Sequence, residues 1–259
     1  MFKPRLVAID LDGTLLTSSK EVSERSERAI RALYEQGVKV VLCTGRPPRF
    51  TKHVAEGLGI SDLVIMHHGA IVYDFVADEM RFHTELTKET ALDVIQTMRE
   101  QHDGVMVGLE TTYGWFLDSA LYRLRRPDPA PTGVGAVETF MQDYVTKLLF
   151  RHEAMDAPAF SQSLNGFDVH CTWSSPELLE VIAPNVNKRE ALKQVAAKRG
   201  LAAADVAVFG DENNDLEMLA WAGCGIAMGN ASAEAKEVAD RVTDTNDEDG
   251  VAKVLETWL

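Results

Sequence analysis

The sequence predicts an α/β fold: a Rossmann-like parallel sheet core with an α+β domain inserted into it. Three observations carry this. Strand-length apolar runs alternate with helical patterns over residues 5–66, and the same alternation resumes from Asn187. Between the two stretches, strand-like runs come in adjacent pairs. Alternating β-α-β units joined by short turns imply parallel strands and right-handed crossovers, whereas paired strands imply an antiparallel sheet. The expected boundaries are a discontinuous core, residues 1–84 and 185–259, and an inserted domain, residues 85–184.

In chain order, Arg5-Leu6-Val7-Ala8-Ile9 is the first strand, rich in residues that suit a buried sheet and closed by the turn residue Gly13. Ser23 is an N-cap for a helix carrying Ala29, Ile30, Leu33 and Tyr34 at helical spacing, and Gly37 ends it. The run 38–42 is the second strand, 48–58 a helix closed by Gly59, and 63–66 the third strand. Residues 69–84 read as a hairpin and 87–102 as a helix. Strands follow at 105–109 and 115–117, then a short helix and loop at 119–132. A helix at 135–143, a strand at 145–150, a weak helix at 156–164 and strands near 167–173 and 178–183 complete the insertion. Helix 188–199 returns the chain to the α/β rhythm, with strands at 206–209 and 225–228 and near Val242, and helices at 214–221, 232–238 and 248–258.

A chain of 259 residues accommodates two domains. Its formal net charge of −14 argues against non-specific binding to nucleic acid or to an anionic membrane, both of which need a basic face. No apolar run approaches the ~18 residues that span a bilayer. Cys43, Cys171 and Cys224 are scattered and form no CxxC pair, and Met1-Phe2-Lys3-Pro4 leads straight into the first strand. Both features fit reduced thiols and a cytoplasmic location.

Four pieces of sequence converge on the carboxyl edge of the core sheet, the edge where open α/β sheets bind ligands. Asp10 and Asp12 stand two apart where the first strand ends, so they point the same way and repel unless a cation neutralises them or one holds a proton. Thr44 offers a hydroxyl just past the second strand, and Gly45 lets backbone N–H groups approach an oxyanion. Lys188 opens a helix, where a cation and free N–H groups together favour phosphate. Asp211 and Asp215 flank Asn214 across a strand-to-helix turn. Carboxylates with no His or Cys nearby in sequence select Mg²⁺ over zinc. Thr44, Lys188 and Asn214 would hold the remaining phosphoryl oxygens, as phosphoryl transfer requires.

These segments, Asp10-Leu11-Asp12-Gly13-Thr14-Leu15, Thr44-Gly45-Arg46, Lys188 and Gly210-Asp211-Glu212-Asn213-Asn214-Asp215, resemble the four motifs of the haloacid dehalogenase-like superfamily. The resemblance is closest to its Cof-type phosphatases, whose large class II cap lies between the second and third motifs. Met228-Gly229-Asn230-Ala231 and Asn246-Asp247-Glu248-Asp249-Gly250-Val251 are similar to the tail of that group. The resemblance implies that Asp10 is the nucleophile of an aspartyl-phosphate mechanism. Asp12 is implied as acid for the leaving alcohol and then base for water. Asp10, the Asp12 backbone carbonyl and Asp211 are implied as Mg²⁺ ligands, with Asp215 supporting the metal directly or through water. The expected activity is hydrolysis of small phosphorylated metabolites, sugar phosphates foremost, under a mobile cap that supplies specificity. A phosphotransferase or mutase on the same scaffold, and a non-catalytic phosphate sensor, are the alternatives; loss of Asp10 or Asp12 would mark the sensor, and neither is lost.

The sequence departs from the family pattern twice. Arg189 follows Lys188 where Gly is usual, and reads as a solvated helix residue. His67-His68-Gly69-Ala70 stands where Asn-Gly-Ala is frequent, so His68 is either a contact to the phosphate ester or cap, or a turn residue. Arg46 reads as structural, and Arg123, Arg125 and Arg126 as a solvated charged face ahead of a grip on an anionic substrate; Trp115, Phe116 and Trp173 read as packing of the inserted sheet, with lining of the substrate pocket by one of them as the alternative.

Overall fold

A computed structural model describes residues 2–59, 63–121, 130–173 and 175–259, so the arginine cluster at Arg123, Arg125 and Arg126 lies outside the described residues. The chain forms two compact units, Met1–His83 with Asn187–Leu259, and Thr84–Val186.

The first unit opens with β1 (Leu6–Ile9), buried at all four positions. Helix α1 (Glu24–Glu35) starts at Ser23, whose hydroxyl accepts from the Ser26 N–H, and it buries Ser26, Ala29, Ile30 and Leu33 as one stripe. After β2 (Lys39–Cys43), helix α2 (Pro48–Leu58) begins with proline in the first turn, where its missing N–H has no intrahelical partner to lose, and closes at left-handed Gly59. β3 (Val64–Met66) completes the β-α-β-α-β run. The hairpin of β4 (Ile71–Asp74) and β5 (Glu79–His83) then adds two antiparallel strands to the β3 edge.

The second unit holds a two-stranded pairing of β6 (Leu86–Thr87) and a six-stranded sheet. Helix α3 (Lys88–Gln101), capped by Thr87, buries Ala91, Val94, Ile95 and Met98. The strands that follow are β7 (Met106–Glu110), β8 (Trp115–Leu117), β9 (Gly133–Val134), β10 (Tyr144–Val145), β11 (Lys147–Arg151), β12 (His170–Thr172) and β13 (Leu179–Ile182), with α4 (Ala157–Gln162) before β12. β10 pairs with β6, and the larger sheet runs β12-β13-β11-β7-β8-β9, antiparallel except for the last pair. The helix expected at 135–143 is absent. Val137–Phe140 form a 3₁₀ turn instead, because Gly133 opens the short strand β9, Gly135 directly follows it, and Phe140 is held in a stack on Phe116, centroids 4.6 Å apart.

The chain returns to the first unit through α5 (Lys188–Lys198), β14 (Val206–Gly210), α6 (Leu216–Trp221), β15 (Cys224–Ala227), α7 (Ala233–Val238), β16 (Arg241–Val242) and α8 (Gly250–Leu255). The helix expected over 248–258 is α8 with a 3₁₀ turn at either end, because Asp249 at its start sits in the left-handed region. The sheet order is β16-β15-β14-β1-β2-β3-β4-β5, parallel from β16 through β3. β1 therefore lies between β14 and β2, and the strand order reverses there. Such a switch point opens a crevice at the carboxyl ends of the strands. Among the described residues no helix is long and apolar enough to cross a membrane.

Candidate active site

Three acidic side chains meet at that switch point. Asp10 follows β1; Asp211 and Asp215 follow β14. Each offers a carboxylate oxygen, and these oxygens lie within 4.8 Å of one another. All three residues are buried. The ammonium of Lys188, the first residue of α5, is fully buried between them and donates to Asp10 Oδ1 at 2.6 Å and Asp215 Oδ1 at 2.7 Å. The sequence fixes Lys188 locally: the Asn187 side chain caps α5 by accepting from the Glu190 N–H at 2.8 Å. Asp215 Oδ2 accepts in turn from the backbone N–H groups of Asp211 and Glu212, at 3.0 and 3.2 Å, and so staples its own loop.

One cation against three carboxylates leaves an excess of negative charge in a dry place. Burial first, then repulsion from Asp215 and Asp12, pushes Asp10 up to about 7 against the pull of Lys188. Burial, then Asp10 and Asp215, pushes Asp211 up to about 9. Burial alone would depress Lys188, but Asp10 and Asp215 outweigh it and hold its charge above the ordinary lysine range. A divalent cation would restore the ionised form of both raised carboxylates. The donor set is entirely oxygen, which suits a hard ion. The residues present therefore fit such a metal.

Asp12 is turned to different partners. Arg46 grips its carboxylate with two N–H bonds, 2.5 and 2.7 Å, and Lys20 donates to Oδ1 at 2.8 Å. Burial favours the protonated acid, but Arg46 and Lys20 together override it and hold Asp12 below the usual carboxylate range. Thr44 is buried and accepts from the Arg46 N–H at 3.1 Å. Asn214 bonds through its amide nitrogen to His68 Nδ1 at 3.2 Å. Gly45 faces the His68 imidazole so closely that any Cβ at position 45 would overlap the ring. Gly13, at φ +77°, equally leaves no room for a Cβ beside the Asp211 carboxylate.

Several contacts here have no local signature in sequence. Thr14 donates to Asp211 Oδ1 at 3.0 Å. The tail clamps the loop after Asp12: Asn230 donates to Gly13 O, Asn246 to Leu16 O, and Asp247 and Asp249 accept from Ser18 N and Ser23 Oγ. Arg189 pairs with its neighbour Glu190.

A profile of the family described as haloacid dehalogenase-like hydrolase matches residues 7–255. The 5-amino-6-(5-phospho-D-ribitylamino)uracil phosphatases YitU and YcsE of Bacillus subtilis are each 32% identical to this chain. The YitU alignment covers 99% of this chain and 98% of YitU; the YcsE alignment covers 98% and 96%. Among solved structures, the haloacid dehalogenase phosphatase BT1666 of Bacteroides thetaiotaomicron superposes with a TM-score of 0.86 at 26% identity, covering 99% of this chain and 96% of that one. The acidic switch point, the profile match along nearly the whole chain and these relatives agree, and the chain belongs to the haloacid dehalogenase-like hydrolases, as a phosphatase acting on phosphoric monoesters.

Proposed function

We propose that the chain is a Mg²⁺-dependent phosphatase of small phosphorylated metabolites that works through an aspartyl-phosphate on Asp10. The observation that carries this reading is the buried cluster of Asp10, Asp211 and Asp215 around one lysine, with a second acid, Asp12, two residues from the first.

Asp10 is the nucleophile. Its oxygen bonds to phosphorus as the bond from phosphorus to the ester oxygen breaks, and Asp12 gives its proton to the departing alkoxide. Water then attacks phosphorus, Asp12 takes a proton from that water, and the Asp10–phosphorus bond breaks. Lys188, Thr44, Gly45 N–H and Asn214 hold the phosphoryl oxygens. Bound Mg²⁺ supplies charge neutralisation between phosphate and carboxylate, held by Asp10, Asp211 and the Asp12 carbonyl. Asp215 has both oxygens engaged by Lys188 and backbone N–H groups, which fits support through a water. The Arg46 grip favours ionised Asp12, the form that activates water; donation to the alkoxide calls for that grip to loosen.

For substrate class, YitU and YcsE are named for a phosphoribitylamino-uracil, and two further relatives are named for phosphoglycolate and pyridoxal phosphate. Sugar phosphates and similar small esters are therefore proposed. The 84–186 unit is assigned the role of cap and chooser of substrate, and the cytoplasm is the proposed location.

The test is a panel of phosphorylated metabolites with detection of free phosphate, with and without Mg²⁺. Metal-dependent release to water from wild type, abolished in a folded Asp10→Asn protein, is the expected result. Phosphate passed to a second sugar would make it a mutase. Binding without release across the panel would make it a sensor.

A further inference from the structure

The turn at His67-His68-Gly69 touches three pieces of the proposed phosphate site at once. His68 N–H donates to Thr44 O at 3.1 Å, and His67 N–H donates to Arg46 O at 3.2 Å, so the turn is zipped to the loop that follows β2. Gly69 packs so closely on the Asn187 carbonyl, the cap of the Lys188 helix, that no Cβ fits there. The buried His68 ring lies across Gly45 and reaches Asn214 through Nδ1. His67 and His68 both hold left-handed backbone, φ 49° and 58°, a conformation that costs energy outside glycine and persists only where surroundings impose it.

The bond to Asn214 sets the state of the ring. An amide nitrogen only donates, so Nδ1 must accept, and the imidazole proton sits on Nε2. The same bond uses one of the two amide protons of Asn214 and fixes the plane of its carboxamide. We infer that His68 is a positioning residue: it orients the Asn214 amide so that its second N–H serves a phosphoryl oxygen. This rests on the phosphate-binding role proposed for Asn214, and the experiment separates the two.

Side-chain geometry makes the test specific. Asparagine at 68 places an oxygen acceptor near the Nδ1 position and tolerates left-handed backbone. Glutamine reaches instead toward Nε2 and has no acceptor at Nδ1. Leucine has neither. The binding of orthophosphate in Mg²⁺ is measured by calorimetry on wild type, His68→Asn, His68→Gln and His68→Leu, alongside melting temperature and steady-state kinetics on the best ester of the panel. The expected result is a phosphate Kd within about twofold of wild type for His68→Asn and weakened about tenfold for His68→Gln and His68→Leu, as loss of one charge-assisted hydrogen bond predicts. KM should rise in step. In an Asn214→Ala background, His68→Leu should add nothing further.

Equal impairment of His68→Asn and His68→Leu, wild-type binding by His68→Gln, or additive loss in the double variant overturns the inference, as does a lower melting temperature with unchanged Kd and KM. A wild type that binds orthophosphate but hydrolyses no ester overturns the phosphatase reading alone, and the binding series still decides His68. A wild type that binds no orthophosphate overturns both.

Discussion

The Arg46 guanidinium closes a two-bonded fork on the Asp12 carboxylate, 34 positions upstream, at 2.5 and 2.7 Å. Planar two-point pairing of this kind orients a carboxylate as well as charging it, and lysine cannot reproduce it. Asp12 has two proton-transfer duties in the proposed cycle, so its orientation and its affinity for a proton both matter. Arg46→Gln should lower kcat by about tenfold, less than the roughly 10²–10⁴-fold that a general acid–base group itself contributes, because Asp12 remains in place. The sign of the pH effect follows from what holds Asp12. With Arg46 gone, burial is opposed by Lys20 alone, and the Asp12 pKa rises. The step that needs ionised Asp12 then fades at a higher pH, so the acid limb of the pH–rate profile should move upward. An unmoved limb would show that Arg46 does not govern Asp12.

Lys188 poses a question of stability as well as chemistry. Its ammonium is fully buried and paired with two carboxylates that are themselves buried. Removing one member of such a group leaves uncompensated charge inside the protein, at a cost of about 3–5 kcal/mol. Lys188→Met should therefore lower the melting temperature in metal-free buffer and abolish turnover. Added Mg²⁺ should recover part of the stability, because a dication can stand in for lost positive charge, but not the turnover. Wild-type melting without metal would contradict the ion-pair account.

The Asp74 turn makes a prediction away from the site. Asp74 Oδ1 accepts from Val76 N and Ala77 N at 3.1 and 2.8 Å, and Oδ2 accepts from Arg81 at 2.7 Å. Burial works to raise its pKa, but these bonds to the charged form outweigh it, and the carboxyl titrates below its ordinary range. A depressed folded pKa means stability that is present above the unfolded value and is lost as pH falls through the folded one. Asp74→Asn should thus destabilise by about 1 kcal/mol at neutral pH. The gap to wild type should close as the pH drops below about 4, where the unfolded-state Asp begins to protonate. Thermal melts across that range check it; a gap independent of pH would remove the charge from the explanation.

Much of the core was legible because its signals are local. Apolar runs, Ser23, Gly37 and Gly59 mark where β1, α1, β2 and α2 begin and end, and the acidic residues sit directly after strands. What was not legible depends on distance in space. Nothing in sequence brings His68 to Asn214, 146 positions apart, or Thr14 to Asp211, 197 apart. Nor does the sequence mark Asp12 as the partner of Arg46, which lies on another loop. The 3₁₀ turn at Val137–Phe140 was missed because the Phe116–Phe140 stack, a tertiary contact, overrides a weak helical pattern.

Asp211 offers the sharpest check on the proposed metal. Its carboxyl is buried beside Asp10 and Asp215 and is pushed well above the carboxylate range, so in the metal-free protein its charge is a burden. Asparagine is nearly the same size and still accepts the 3.0 Å bond from Thr14. Metal-free Asp211→Asn should therefore melt higher than metal-free wild type. Mg²⁺ should reverse the order: an ion that binds only the folded state stabilises in proportion to the logarithm of its concentration over Kd, about 2.7 kcal/mol at a hundredfold excess over Kd. Wild type should gain that stability, and the variant, short of a charged ligand, should gain far less. Parallel melting curves for the two proteins across a Mg²⁺ titration would remove Asp211 from the ligand set.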